Sequence, residues 1–250
     1  MSSIKFPVTA ACAAVTLLAA GPSFAQQNPF AGQTFLSSYA GLKEVPSKSG
    51  KDYIYIKPGV EAGLGKYKSV MIDQPEIFIS PASPDKGAKP DDVKAISELI
   101  RSTFAASLKA RGYQVVDKPG PETLFIRLAA TDLQIAKKKK GFFSYTPVGL
   151  VVGAGSSAMK DFMEKHDVLD MSLQAESLDS VTNDVLGASV LKRGKGGVAA
   201  GGKAERLSFE QVVEDIDEGG QRIACRLDNS RKPVAQRVDC TDPAARAPKK

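Results

Sequence analysis

The sequence predicts an α+β fold: a two-layer sandwich whose mixed, mostly antiparallel sheet carries helices on one face, with elements in the order β-α-β-β-β-β-α. Three observations carry this. Residues 69–79, 123–135, 168–177 and 185–191 are β-branched or alternating apolar stretches. Residues 91–111 and 208–227 instead repeat apolar residues at three- and four-residue spacing. Finally, the last two strands are joined by a short polar turn, as in a hairpin, whereas a helix separates the first strand from the second, as a right-handed parallel crossover requires.

The chain opens with Lys5, an uncharged run from Val8 to Ala20, the breaker pair Gly21-Pro22, and the small residues Ser23 and Ala25. This is the charged, apolar and small-residue order of a secretory signal, and 13 residues are too few to span a bilayer as a helix. Cleavage is expected after Ala25, so that 1–25 is a signal peptide and the exported, periplasmic chain has 225 residues. Cys12 sits inside the apolar run with too few residues before it to form a run of their own, so a lipoprotein is not expected. Residues 26–66 are rich in Gly, Ser, Pro and Lys around two apolar islands, FLSSYAGL (35–42) and YIYI (53–56). They read as an N-terminal arm lying on a single domain, 67–228.

Within the domain, SVMIDQPEIFI (69–79) is the first strand and SPASPDKGAKP a loop. Asp91 or Asp92 is expected to cap the helix carrying Val93, Ile96, Ile100, Phe104 and Leu108, which Gly112 ends. YQVV (113–116) is a short strand. TLFIRLAATDLQI (123–135) alternates with Leu124, Ile126, Leu128 and Ala130 on one face, then shifts phase to Leu133 and Ile135, which predicts a bulge at Ala130 to Asp132. In VLDMSLQAES (168–177), Leu169, Met171, Leu173 and Ala175 are expected to face the core and Asp170, Ser172, Gln174 and Glu176 the solvent. VLGASVL (185–191) returns after SVTND. Ser208 and Gln211 fit a capping box and Leu207 with Val212 a hydrophobic staple, opening the last helix, which Gly219-Gly220 weakens by about 1 kcal/mol per Gly.

Removal of Cys12 leaves Cys225 and Cys240, an even pair that reads as a structural disulfide in an exported chain. Its 15-residue loop contributes about 3 kcal/mol in the chain-entropy model and staples an otherwise disordered basic tail, 229–250.

The arm FLSSYAGL, YIYI, YKSVMID, the hairpin SLQAESLDSVTNDVLGASV and the closing amphipathic helix resemble a family of exported bacterial envelope proteins catalogued as a domain of unknown function, many members of which carry lipoprotein names. The resemblance covers roughly residues 34 to 228 and is best in LDSVTNDVLGAS. The family tends to have Gly where this chain has Asn183; Asn tolerates a left-handed backbone, so the turn is expected to survive. The element order is also similar to the amino-terminal domain of TolB and to some envelope assembly lipoproteins, a likeness of fold that carries no function. The family brings no catalytic residues.

GLVVGAGSSA (149–158) has the glycines of a dinucleotide fingerprint, but such a motif closes a buried parallel strand and is completed by an acidic residue on a second one. Here Glu176 is the acid at the right distance, on an alternating strand that reads as antiparallel. No cofactor is expected. His166 is the only histidine, and no GxSxG elbow, CxxC pair or Walker loop is present, so no metal site is expected. The cluster Glu214, Asp215, Asp217 and Glu218 reads as a solvated helix face. The leading expectation is a non-enzymatic binding or accessory module; the alternative is a periplasmic hydrolase using His166 with a Ser or Asp, which would need His166 in a cleft, whereas a binding module would leave it on open surface.

Charge is distributed unevenly. Without Lys5 the chain carries 33 basic and 28 acidic residues. Residues 136–160 hold five Lys and no acid, and residues 192–206 hold five basic residues and one acid. The hairpin topology brings these segments to one end of the sheet. Lys137, Lys138, Lys139, Lys140, Lys160, Lys192, Arg193, Lys195, Lys203 and Arg206 should therefore form a basic pole beside Phe142, Phe143 and Val148. Basic side chains next to apolar ones suit an anionic envelope surface such as phospholipid headgroups, or an envelope protein. Nucleic acid is not an expected partner outside the cytoplasm, and the pattern specifies no oligomeric state.

Overall fold

The computed structural model describes residues 30, 32–47, 50–60, 63–138, 155–193 and 206–246. The chain divides into Met1–Gly32 and Gln33–Lys250, and every element lies in the second unit. The predicted signal and Cys12 fall outside the described residues, as do residues 139–154 and 194–205. Among the described residues, no helix is long and apolar enough to cross a membrane.

Among the described residues, eight strands form one open, mostly antiparallel sheet. They are β1 (Lys43–Ser47), β2 (Gly50–Ile56), β3 (Ser69–Ile72), β4 (Glu76–Ile79), β5 (Gln114–Val115), β6 (Thr123–Lys137), β7 (His166–Asp179) and β8 (Val185–Arg193). The helices are α1 (Pro90–Lys109), α2 (Gly155–Lys165), α3 (Phe209–Ser230) and the short α4 (Pro243–Arg246). The order across the sheet is β1-β2-β8-β7-β6-β3-β5, with β4 also on β6. One apolar face of the sheet packs on α1, α2 and α3: Leu128, Leu133, Ile135, Leu173 and Leu191 meet Phe104, Leu108, Phe162 and Ile216, all buried.

Several local expectations are met. Gly112, with φ 82°, ends α1. Ser208 and Gln211 exchange backbone-to-side-chain hydrogen bonds at 3.2 and 2.7 Å and start α3. Asn183 takes φ 59° in the β7–β8 turn. The bulge is present: Asp132 has φ 54°, and the β6–β7 register slips between Thr131 and Gln134. Leu128 and Leu133 are both 2% exposed despite opposite parity. The register slips back between Gln134 and Ile135, which places Val168, not Leu169, in the core at the start of β7.

Other expectations need correction. Residues 69–79 are two strands, because Asp73-Gln74-Pro75 breaks the ladder: Pro75 has no N–H to donate, and its carbonyl accepts the Ser97 hydroxyl of α1. Both pieces run parallel to β6, so the sheet has more parallel pairing than the β3–β5 crossover alone supplies. Neither Asp91 nor Asp92 is the N-cap of α1; Lys89 is, with Pro90 following, and the Asp92 carboxylate accepts the Lys89 N–H at 3.0 Å. Part of the arm is sheet: β1 and β2 form a hairpin that pairs with β8. At Gly219 and Gly220, α3 packs closely on its neighbours. A Cβ on Gly219 would lie 3.1 Å from Leu191, and one on Gly220 2.9 Å from the Ser107 hydroxyl of α1.

Cys225 and Cys240 are bonded. The described residues of the tail are held by more than that bond. The Asn229 side chain bonds both the carbonyl and the N–H of Val238, and Arg246, 3% exposed, reaches Glu218 at 3.2 Å.

Candidate functional site

Several residues expected in the basic pole lie on or next to the β6–β7–β8 ladder. Lys137 pairs with His166 at the start of β7, and Arg193 pairs with Met171 five residues further along it, so β6 and β8 both end beside the first half of β7. The bridge between Val168 and Leu207 brings Arg206 to the same end, and α2 runs into it. Lys137, Lys138, Lys160 and Arg206 are exposed there. Local partners engage some of these cations. Lys138 donates to the Met163 carbonyl at 2.6 Å, Arg206 pairs with Asp167 at 2.8 Å, and the Lys192 ammonium lies 5.9 Å over the Tyr53 ring. Exposed Asp161 and Glu164 share α2 with Lys160. Lys139, Lys140, Lys195, Lys203, Phe142, Phe143 and Val148 lie outside the described residues.

His166 occupies neither of the places anticipated for it. It is 7% exposed, its Nδ1 is 3.2 Å from the Phe162 carbonyl, its ring stacks on Phe162, and its Nε2 is 3.5 Å from Asp85. The nearby Ser83 hydroxyl donates to the Asp85 carbonyl and accepts the Ile135 N–H at 2.9 Å. These side chains lock the α2–β7 junction to the 80–88 loop. The acidic cluster on α3 is likewise not a plain solvated face: Asp217 accepts the Ser107 hydroxyl at 3.1 Å, and Glu218 binds Arg222 at 2.7 Å. Among the described residues, no group of three or more His, Cys, Asp or Glu could hold a metal ion.

The sheet face away from the helices holds a polar network that the sequence did not reveal. Ser172, Gln174 and Glu176, expected in solvent, are 4%, 1% and 0% exposed, and residues 33–39 of the arm bond to Gln174 and Glu176. Glu176 accepts the Ser37 N–H and hydroxyl at 2.9 and 3.0 Å and Arg127 at 2.9 Å. Gln174 accepts the Tyr39 hydroxyl at 2.8 Å and donates to Thr131 and to Gln33, which in turn donates to Asp132 at 2.7 Å. Arg127 also lies 4.8 Å over the Phe35 ring. Glu176 is thus engaged on antiparallel β7 and does not present an acid to a ribose. Of the glycine motif, 149–154 lies outside the described residues and Gly155 opens α2.

On the helix face, a pocket of about 250 Å³ lies between the C-terminal half of α3 and β2, β8 and β7. Its cause is a gradient of side-chain size. Leu173 and Leu191 fill the space under Gly219. The next cross-strand pairs, Ala175 with Ser189 and Ser177 with Gly187, are small and leave a gap under Ile223 and Leu227. Arg226 of α3 and Arg237 of the disulfide loop line it.

The model of the family described as Protein of unknown function (DUF3313) matches residues 32–223. The chain belongs to this family. Its relatives include the Uncharacterized lipoprotein YdcL of Escherichia coli K12 and of Escherichia coli O157:H7, each 24% identical over 216 residues, covering 84% of this chain and 90% of theirs. Similar solved structures include the PelC dodecamer from Paraburkholderia phytofirmans, with TM-score 0.33 and 10% identity over 68% of this chain and 95% of that one. Another is a DUF4136 family protein from Bacteroides thetaiotaomicron, with TM-score 0.34 and 10% identity over 67% of this chain and 91% of that one.

Proposed function

We propose that this family member is a non-enzymatic binding module of the bacterial envelope, exported by a signal cut after Ala25, whose basic pole docks on anionic phospholipid. What supports the reading is that Lys137 and Lys138 at the end of β6, Lys160 of α2 and Arg206, which precedes the bridge from Leu207 to Val168, are all exposed and lie on segments that meet the start of β7, with Lys192 of β8 further along β7, opposite Ser172. Lys139, Lys140, Lys195 and Lys203 follow in sequence from those positions. Each Lys or Arg near an anionic leaflet contributes about 1 kcal/mol, screened by salt. The lipoprotein names of the relatives support an envelope location. A hydrolase reading is disfavoured because His166 is enclosed and spent on Phe162 and Asp85.

Two measurements test this. Intact mass of the protein recovered from the envelope should give a chain beginning at Gln26; an acylated Cys12 would refute the export route. The purified chain should sediment with anionic vesicles at low salt, be released by 0.5 M salt, and ignore zwitterionic vesicles. Absence of sedimentation at low salt would refute the docking surface.

A further inference from the structure

We infer that residues 33–39 form a detachable strap, hinged at Ala40-Gly41, which swings off β6 and β7 while the rest of the domain stays folded.

The attachment is separable from the sheet. Among the described residues, the hydrogen bonds that tie 33–39 to β6 and β7 end on the side chains of Asp132, Gln174 and Glu176. β6 and β7 pair with each other beneath them, from Leu124 opposite Asp179 to Lys137 opposite His166, so release of the strap breaks no rung of that ladder. Release also leaves the buried groups partnered. Glu176 keeps Arg127 at 2.9 Å, and Gln174 keeps Thr131 at 2.9 Å. An orphaned buried acceptor is what makes such a break costly, and here the sheet supplies its own donors. The hairpin that follows is held differently, by the ladders of β1 on β2 and β2 on β8.

The closed form is the resting one. Phe35 and Leu36 are 5% and 4% exposed, with the Arg127 guanidinium 4.8 Å over the Phe35 ring and the Phe78 ring edge-on to it at 6.4 Å. Their burial and the charge-assisted bonds of Ser37 to Glu176 favour closure. Two apolar anchors and a few side-chain hydrogen bonds hold far less than the core does, and segments of that kind open before the whole molecule unfolds.

The hinge is an exposed turn at Ala40-Gly41. Gly41 takes φ 80°, a left-handed backbone that glycine adopts without the steric cost of a side chain, and a Cβ there would lie 3.2 Å from the Tyr55 ring of β2. Opening about this turn frees the acceptor positions on Glu176 and Gln174 that Ser37 and Tyr39 occupy, so the strap controls access to them.

The test is amide hydrogen exchange of the whole mature protein, read residue by residue by NMR in urea up to about 1 M. The Leu36 and Ser37 N–H groups, which donate to the Tyr39 hydroxyl and to Glu176, should be protected about a hundredfold less than the slowest amides of the β6–β7 ladder. Their rates should barely respond to urea, because a short arm exposes little surface, while those of the ladder rise. Gly219→Val, which weakens the core, should speed the ladder and leave Leu36 and Ser37 unchanged; if it fails to fold, the urea dependence of the wild type makes the same distinction. Phe35→Ala should speed exchange at Leu36 and Ser37 about tenfold or more. Gly41→Ala, strained only in the closed turn, should speed it about fivefold or more. Arm amides that follow the urea dependence of the ladder, or that accelerate in Gly219→Val, would overturn the strap. Unchanged arm exchange in Gly41→Ala would overturn the hinge.

Discussion

Asp52 and Arg222 are both 0% exposed, and they bind each other across 170 residues of sequence. Arg222 also binds Glu218, which binds Arg246 from α4, so one buried cluster joins β2, α3 and the tail. Removing Asp52 takes away one of the two carboxylates that face the fully buried Arg222. Asp52→Ala should therefore cost about 3–5 kcal/mol in a urea titration, far more than a typical surface change. A second residue-level device sets pH limits. Asp179 accepts Lys66 at 2.9 Å, the Tyr67 hydroxyl at 2.7 Å, and the N–H groups of Val181 and Thr182. Lys66, then Tyr67, hold its carboxyl well below the usual range. The stability this contributes is present above about pH 4 and is lost as pH falls toward the lowered value. Asp179→Asn should therefore destabilise at pH 7, with the deficit shrinking below pH 4. Burial pushes both Tyr67 and Tyr113 up to about 12. Their contribution is complete below about pH 10 and lost as pH rises through 12, so urea midpoints should fall across that window and fall less in Tyr113→Phe. None of these pairings was legible in the sequence, because partners so far apart in the chain leave no local pattern.

At the scale of elements, close packing decides the sign of a substitution. A glycine inside a helix usually costs about 1 kcal/mol relative to Ala, and the sequence alone suggests that replacing Gly219 would help. Leu191, Leu173 and Phe104 close around it on three sides, with the nearest at 3.1 Å from a would-be Cβ. Gly219→Val should therefore destabilise by about 1–3 kcal/mol through overpacking, read as a lower Tm. The Cys225–Cys240 bond closes a 15-residue loop, so its reduction should cost about 3 kcal/mol and lower Tm by about 6–12 °C. Thiol titration of the denatured, unreduced protein should find no free thiol. Elements with clean periods were legible: α1, the β7–β8 hairpin and the α3 capping box. The bulge was legible too, because apolar residues on both sides of a phase shift must both be buried. The hairpin β1–β2 was missed because KEVPS, an edge strand containing Pro46, carries no alternation. The break at Pro75 was read through because the residues on both sides of it are β-branched or aromatic.

For the molecule as a whole, the α+β class followed from periodicity, but what covers each face did not. Period-2 alternation marks Gln174 and Glu176 as polar without saying whether water or the arm will satisfy them. The basic character of residues 136–160 and 192–206 was legible because charge can be counted. The pocket under α3 was not, since it arises from small residues on β7 and β8 that leave space only once α3 lies above them. The docking proposal requires that localised charge, and not the net charge of the chain, drives membrane contact. The most direct measurement is the salt dependence of anionic-vesicle partition for three proteins: the wild type, a variant with Lys137, Lys138, Lys139 and Lys140 changed to Gln, and a control with the exposed Lys43, Lys68, Lys109 and Lys118 changed to Gln. Loss of binding in the first variant with retention in the control is the predicted result; equal weakening of both, or no weakening of either, would contradict it.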